Sequence, residues 1–256
     1  MTFWEHIDEF RKRLFYPFVA LIVFTIVAFI LKDTIFGILL AANSPDFITY
    51  TIFAGSETIG KNGALVELIN TDLPAQLIVH LKVSLYVGLI FTLPYLVYKL
   101  FKFASPGLYE NERRYSAWIL FFSFVSFFIG ILVNYFVIFP FAFRFLSSYQ
   151  VADQVVNMIA ITSYLDTLLI LSLLMGICFE LPIVSLILSK LGVMTSKFLS
   201  TYRRHAIVAI LIIAAVITPT TDVFTLMLVS GPIYLLYELS IIIVKIAERK
   251  RHIEST

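Results

Sequence analysis

Four glutamates are the side chains of this sequence that could carry a function, and two of them lie in apolar surroundings. Glu180 stands within residues 176–182, a segment without a nearby cation, where a charge is costly to bury. It either faces a wet cavity or is a neutral acid bonded to a backbone carbonyl that Pro182 frees, and the sequence favours a functional role. Glu238 lies nearer the end of its apolar run, and the sequence favours neither a structural nor a functional role for it.

The other two glutamates, Glu9 and Glu112, lie in charged segments. Glu9 precedes Arg13 by one helical turn, a spacing that suits an ordinary ion pair within a helix, and Glu112 beside Arg113 could equally be a solvated loop charge. In the alternative interpretation both carboxylates bind a positively charged peptide. Guanidinium groups suit such a site because they form bidentate, charge-assisted hydrogen bonds with carboxylates.

The sequence lacks the signatures of common enzymes. It has no His-Glu-x-x-His zinc motif, no Gly-x-Ser-x-Gly elbow and no phosphate-binding glycine loop, and its histidines are scattered. A single cysteine, Cys178, excludes an internal disulfide and a cysteine-built metal site. These absences argue against an ATPase, a zinc protease and a lipid-modifying or proteolytic membrane enzyme.

Composition indicates an integral membrane protein. Hydrophobic residues make up 60% of the 256 residues, charged residues only 14%, and the mean hydropathy is +0.94. In soluble domains charged residues alone approach about a quarter. We therefore predict one all-α, integral membrane domain over residues 1–256. Its six spans are predicted at about residues 14–31, 77–100, 115–139, 164–188, 206–217 and 224–246.

Charge distribution orients these spans. The proposed cytoplasmic segments hold 15 of the 19 Lys and Arg residues, which favours both termini inside the cell. A short charged loop, residues 99–114, turns at Pro106, and Pro140 is expected to close the third span. Pro94 should kink the second span. The fifth run, residues 206–217, would be only about 18 Å long as a helix, well short of the hydrocarbon thickness.

The chain resembles, over nearly its whole length, the TatC family of the twin-arginine protein translocase. Four motifs, which follow one another in the same order as in the family, carry this resemblance. They are residues 6–14, residues 103–108 with 112–114, residues 179–182, and residues 217–219 with Asp222. Two positions depart from the family pattern. Phe10 replaces the usual leucine, and Leu226 stands where many members carry a glutamine, which puts polar partner docking at that point in doubt.

The resemblance implies a receptor that binds signal peptides carrying consecutive arginines at the cytoplasmic face. That role falls on Glu9, Arg11, Phe103 and Glu112, while Glu180 would be the functional carboxylate inside the membrane. Roles in partner docking or in structure are implied for Pro94, Pro219, Asp222 and Glu238. No metal or other cofactor is implied, and the chain is not expected to be an enzyme.

The resemblance also implies a concave, glove-like wall of six helices whose short fifth and sixth members thin the bilayer. Single-span TatA or TatB partners would dock there in an oligomeric receptor complex, and the proton-motive force would drive export of folded cargo. We expect the chain to lie in the bacterial cytoplasmic (inner) membrane rather than in a thylakoid, and we expect no nucleic acid among its partners. The alternative is a proton-coupled transporter of a small solute that uses Glu180, although the chain shows no internal repeat.

Overall fold

Helices form most of the described chain, because an apolar segment in a membrane must satisfy its backbone hydrogen bonds internally. A computed structural model of the protein describes residues 3–53, 65–70, 73–104, 116–149, 158–190, 192–218 and 222–254. The helices are α1 (Phe3–Ile30), α2 (Lys32–Ala41), α3 (Ile48–Phe53), α4 (Ala75–Ala104), α5 (Ser116–Val133), α6 (Phe139–Ser148), α7 (Ile161–Cys178), α8 (Leu181–Lys190), α9 (Ser196–Thr201), α10 (Arg203–Ile217) and α11 (Val223–Glu254). Two short strands, β1 (Leu68–Ile69) and β2 (Ile159–Ala160), pair in parallel.

Several of these helices are long and apolar enough to cross a bilayer. Within the described residues, four stretches meet that requirement by length and composition, and α1 with α2 forms a fifth that is bent by 81°. The four are Ala75–Val97, Phe121–Ser148, Ile161–Lys190 and Val223–Arg249. Helix α10 has 15 residues, about 22 Å at 1.5 Å per residue, so it is shorter than the hydrocarbon core.

Two expectations about the helices differ from the structure. Pro140 does not close the third span, because the chain passes from α5 through a π-helical turn, Asn134–Ile138, into α6 with Pro140 in its first turn. Proline is tolerated there because the first amide groups of a helix need no partner within it. Helix α4 contains Pro94 in its interior, and the kink expected there stays a prediction. A short helix is found for α10 but not for α11, whose 32 residues make the expectation of a short sixth helix wrong.

The chain packs as two compact units. The first unit comprises Met1–Phe121 and Gln150–Leu169, and the second comprises Phe122–Tyr149 and Ile170–Thr256.

In the first unit, α1 and α4 pack against each other in antiparallel directions. Phe29 stacks on His80 with ring centroids 4.0 Å apart, and further along the pair Phe24 lies 6.0 Å from Phe91. The helices approach most closely at Gly88, where an added Cβ would lie 2.8 Å from the backbone nitrogen of Thr25. A glycine therefore allows the two backbones to meet.

Hydrogen bonds to backbone groups hold the connecting segments of the first unit. The Asn43 side chain both donates to the carbonyl of Val66 and accepts from its amide, at 2.9 and 3.2 Å. The Tyr164 hydroxyl in α7 donates to the carbonyl of Leu39 in α2 over 2.9 Å. These bonds satisfy polar groups in a segment with little regular structure.

In the second unit, an apolar core forms where helices α7, α10 and α11 meet the π-helical turn. Its buried members are Ile138, Leu171, Met175, Ile210, Ala214, Ile217, Val229 and Ile233. At the cytoplasmic side predicted from charge, Gly192 has φ 75°, a left-handed conformation that lets the chain leave α8. The Thr195 hydroxyl then accepts from the amide of Phe198 and caps α9.

Candidate functional site

The predicted peptide site is described in part. Glu9 and Arg11 lie in α1 and Phe103 lies in the last turn of α4, where the structure describes the helical backbone. Glu112 and Pro219 lie outside the described residues. Whether Glu9 and Glu112 meet therefore stays a prediction.

The packing of α1 on α4 fixes where the backbone segments that carry Glu9 and Phe103 lie. The two helices are antiparallel, so residues nearer the start of α1 contact residues nearer the end of α4. The contacting pairs are Phe29 with His80, Thr25 with Gly88, Phe24 with Phe91 and Tyr16 with Lys99. The backbone segments that carry Glu9 and Phe103 continue this series beyond its last pair. They therefore lie at the same end of the α1–α4 pair.

A lysine between two tyrosines marks that end. The Lys99 ammonium lies 5.1 Å from the ring centroid of Tyr16 in α1 and 5.2 Å from that of Tyr95 in α4. Both distances suit a cation–π interaction, which ties the two helices together. Sequence reasoning missed this contact. Tyr95 and Lys99 are one helical turn apart and share a face, but nothing in the sequence identifies Tyr16 as their neighbour.

Glu180 is buried in the second unit, at the turn between α7 and α8. The residue is 7% exposed, and one carboxyl oxygen, Oε2, accepts a hydrogen bond from the Ser123 hydroxyl of α5 over 2.7 Å. The other oxygen, Oε1, has no hydrogen-bond partner among the described residues. The structural alternative, a bond to a backbone carbonyl that Pro182 frees, is not found among the described residues, where the Ser123 hydroxyl is the partner instead.

Further polar groups line the packing of α5 on α7. Ser126 donates to the carbonyl of Phe179 over 2.7 Å, next to Glu180. The Asn134 amide, which is fully buried in the π-helical turn, donates to the Ser172 hydroxyl over 2.9 Å. Sequence reasoning did not select these residues. The spacing of Ser123 and Ser126 puts them on one helix face, which was the available signal.

The remaining candidates occupy structural settings. Glu238 in α11 accepts from Arg203 at 2.8 Å with one oxygen and from the Tyr234 hydroxyl at 3.1 Å with the other. Asp222 accepts from the amide of Thr225 over 2.7 Å, so it caps the start of α11. Pro94 is buried inside α4. In the described part of the chain, no three His, Cys, Asp or Glu side chains lie close enough to hold a metal ion.

Comparison with known proteins agrees with the motifs. A family model described as Sec-independent protein translocase protein (TatC) matches residues 5–232. The chain belongs to the TatC family. It is 33% identical to TatCy of Bacillus subtilis, with 98% of this chain and 91% of that protein aligned. It is also 33% identical to TatC of Aquifex aeolicus, with 98% of each chain aligned.

Solved structures of TatC have the same fold. A crystal structure of the twin-arginine translocase receptor TatC matches with a TM-score of 0.77 and 33% identity, covering 95% of this chain and 99% of that one. A second crystal structure of that receptor gives a TM-score of 0.78 at 31% identity. The all-α, polytopic membrane fold is thereby confirmed. As a TatC protein, the chain is a multi-pass component of the Sec-independent protein translocase.

Proposed function

We propose that this chain is the core receptor subunit of the twin-arginine translocase. It binds twin-arginine signal peptides at the cytoplasmic face and scaffolds TatA or TatB partners for export of folded proteins, driven by the proton-motive force. It acts in the bacterial cytoplasmic membrane with both termini inside the cell and works as an oligomer. The observation that carries this proposal is the match to a twin-arginine translocase receptor along nearly the full length of both chains.

In the proposed peptide site, Glu9 and Glu112 hold the arginine pair, with Arg11 and Phe103 beside them. The packing of α1 on α4 supports this arrangement, since it puts the segments of Glu9 and Phe103 at one end of the pair. Lys99 would fix the distance between those segments. Carboxylates at that surface can bind guanidinium groups in a bidentate manner, which a lysine in the peptide could not reproduce.

Glu180 would serve a later step, in assembly or transport. Its burial among apolar helices supports this role, because a carboxyl group with only one of its oxygens hydrogen-bonded is costly in a membrane and is rarely retained for stability alone. Partner docking would involve the short helix α10, at which a bilayer must thin or a partner must cover the ends.

The test is crosslinking of a twin-arginine peptide to the chain in membranes. Changing Glu9→Ala and Glu112→Ala together should abolish the crosslink, because both anionic groups for the guanidinium pair are lost. Glu180→Ala is the control, because it also replaces a glutamate by alanine but does so outside the proposed peptide site. It should keep the crosslink yet lower export of a folded reporter.

The results separate this function from the transporter alternative. Unchanged crosslinking in the double variant would contradict the peptide site, and normal export by Glu180→Ala would assign Glu180 to structure. Uptake of a small solute by the purified chain without partners would favour the proton-coupled transporter. The family assignment favours the translocase.

A further inference from the structure

The first unit contains a cavity of about 400 Å³ at the end of α1 that is opposite to the chain's N-terminus. Four elements of that unit line it: α2, the segment of β1, the start of α4 and the first residue of α7. Its volume is within the range of about 300 to 1,000 Å³ that small-molecule sites occupy. The lining residues are Lys32, Asp33, Phe36, Leu68, Ile69, Asn70, Gln76, Val79, His80 and Ile161.

This cavity lies where several apolar segments end, and the ends of membrane-spanning helices are where the hydrocarbon core gives way to lipid headgroups. Helix α1 ends at Ile30, two residues before Lys32. The candidate spans that start at Ala75 and Ile161 begin beside or at a lining residue. The ends of three apolar segments thus converge on one cavity. Groups that bind there face the polar boundary of the bilayer.

The lining carries opposite charges next to each other. Lys32 and Asp33 are consecutive and exposed, and among the described residues neither forms an ion pair with another side chain. The amides of Asn70 and Gln76 add hydrogen-bonding groups, whereas the remaining lining is mainly apolar. A ligand complementary to this lining has an anionic group for Lys32, a cationic group for Asp33 and an apolar part.

Aromatic packing stiffens one wall. The His80 ring stacks on Phe29 with centroids 4.0 Å apart and meets the edge of Phe36 at 6.0 Å, while its Nε2 lies 3.1 Å from the carbonyl oxygen of Phe29. With His80 held in this way, the wall between α2 and α4 is ordered before a ligand enters. Such preorganisation lowers the entropy lost on binding.

We propose that this cavity binds the headgroup of a phospholipid of the phosphoethanolamine type, with Lys32 pairing with the phosphate and Asp33 accepting hydrogen bonds from the primary ammonium. A primary ammonium has N–H donors for a carboxylate, whereas a trimethylated one has none. An anionic lipid without an ammonium would leave Asp33 facing a negative phosphate. The apolar walls would cover the glycerol and the first part of the acyl chains.

Native mass spectrometry of the full chain in dodecyl maltoside provides the test. The protein is mixed with phosphatidylethanolamine, phosphatidylcholine or phosphatidylglycerol, and the bound lipid is counted. Phosphatidylethanolamine should be retained best. Lys32→Gln should lower its retention about fivefold, the effect of one cation near a headgroup. Asp33→Asn should remove the preference for phosphatidylethanolamine over phosphatidylglycerol.

Lys197→Gln is the matched control, because it neutralises an exposed lysine of α9 that does not line the cavity. It should leave lipid retention unchanged, and gel filtration should show all variants folded. Equal retention by wild type and Lys32→Gln would overturn the proposal, as would a preference for either other lipid. Competition by soluble glycerophosphoethanolamine at the concentration of the lipid itself would overturn the membrane source of the ligand.

Discussion

In each unit a glycine allows two helices to pack closely, but the contacts around that glycine differ between the units. In the first unit, Gly88 of α4 meets the backbone of Thr25, and the neighbouring contacts are aromatic. In the second unit, Gly130 of α5 approaches the carbonyl of Met175 and the ring of Phe179, and buried hydrogen bonds lie alongside. Beside Gly88 the first contact depends on shape, with polar contacts of His80 and Lys99 only toward the two ends of the helix pair. The second contact has hydrogen bonds within the packing beside Gly130, so it depends on shape and on polar pairing.

This difference matters because lipid tails are as apolar as the side chains they replace. Helices in a membrane gain little from the hydrophobic effect and associate through close packing and hydrogen bonds between them. The α1–α4 contact should therefore be most sensitive to added volume. The α5–α7 contact should also be sensitive to removal of a single hydroxyl group.

The largest effect is expected for Gly88→Ala. The new Cβ would clash with the Thr25 Oγ1 and would lie 2.8 Å from its backbone nitrogen, so α1 and α4 must move apart. Overpacking of this kind typically destabilises by about 1 to 3 kcal/mol. The apparent unfolding midpoint of the purified chain in detergent should fall, and the cation–π contact of Lys99 should loosen with it.

Gly37→Ala is the control in the same unit, because a Cβ at that helical position meets nothing within 4 Å. Its unfolding midpoint should be unchanged or slightly higher, since alanine has a higher helix propensity than glycine. If Gly88→Ala were as stable as Gly37→Ala, close backbone packing would not be what holds α1 to α4.

A smaller effect is expected for Ser123→Ala in the second unit. The change removes the hydrogen bond to Oε2 of Glu180 and leaves the buried carboxyl group without a described partner. Losing such a bond should lower stability by about 1 kcal/mol, in line with hydrogen bonds between membrane helices. In a Glu180→Leu background the same change should be nearly neutral, because no polar group is then left unpaired.

A double-mutant cycle measures this coupling through the unfolding midpoints of the four proteins. Additive effects of Ser123→Ala and Glu180→Leu would show that the two side chains do not interact, and would remove the distinction between the two contacts. Ser126→Ala is a useful comparison, since Ser126 bonds to a backbone carbonyl and should not couple to Glu180.

Much of the fold follows from the sequence, and the details of the sites do not. Apolar run lengths predicted the helical membrane class and the short α10, because spanning a bilayer fixes how many apolar residues are needed. The π-helical turn before Pro140 was missed, because proline stops a helix only where its missing amide and ring cannot be accommodated.

The partners of the site residues were missed for a different reason. Glu180 is 57 residues from Ser123, and Lys99 is more than 80 residues from Tyr16. Periodicity shows which residues share a helix face, but it does not show which helix faces another. Motif order identified Glu180 as important, whereas only the structure reveals that a serine holds one of its oxygens.

The smallest effects are expected for two exposed ion pairs, one in each unit. Lys82 with Asp166 in the first unit and Arg203 with Glu238 in the second have the same 2.8 Å separation and comparable exposure, 46% and 35% against 47% and 28%. Exposed pairs usually contribute only about 0.2 to 1 kcal/mol. Alanine double-mutant cycles on the chain in detergent should therefore give small coupling energies for both.

Between these pairs, Arg203 and Glu238 should couple more strongly. The planar guanidinium holds its geometry better than an ammonium on a flexible stem, and the Tyr234 hydroxyl orients the same carboxylate from the other side. Tyr234→Phe should then reduce the coupling of Arg203 with Glu238, whereas Tyr86→Phe in α4 should leave that of Lys82 with Asp166 unchanged. Equal coupling in the two units, unaffected by Tyr234→Phe, would mean that surrounding polar groups do not organise ion pairs in the second unit, and the contrast between the units would be confined to its buried contacts.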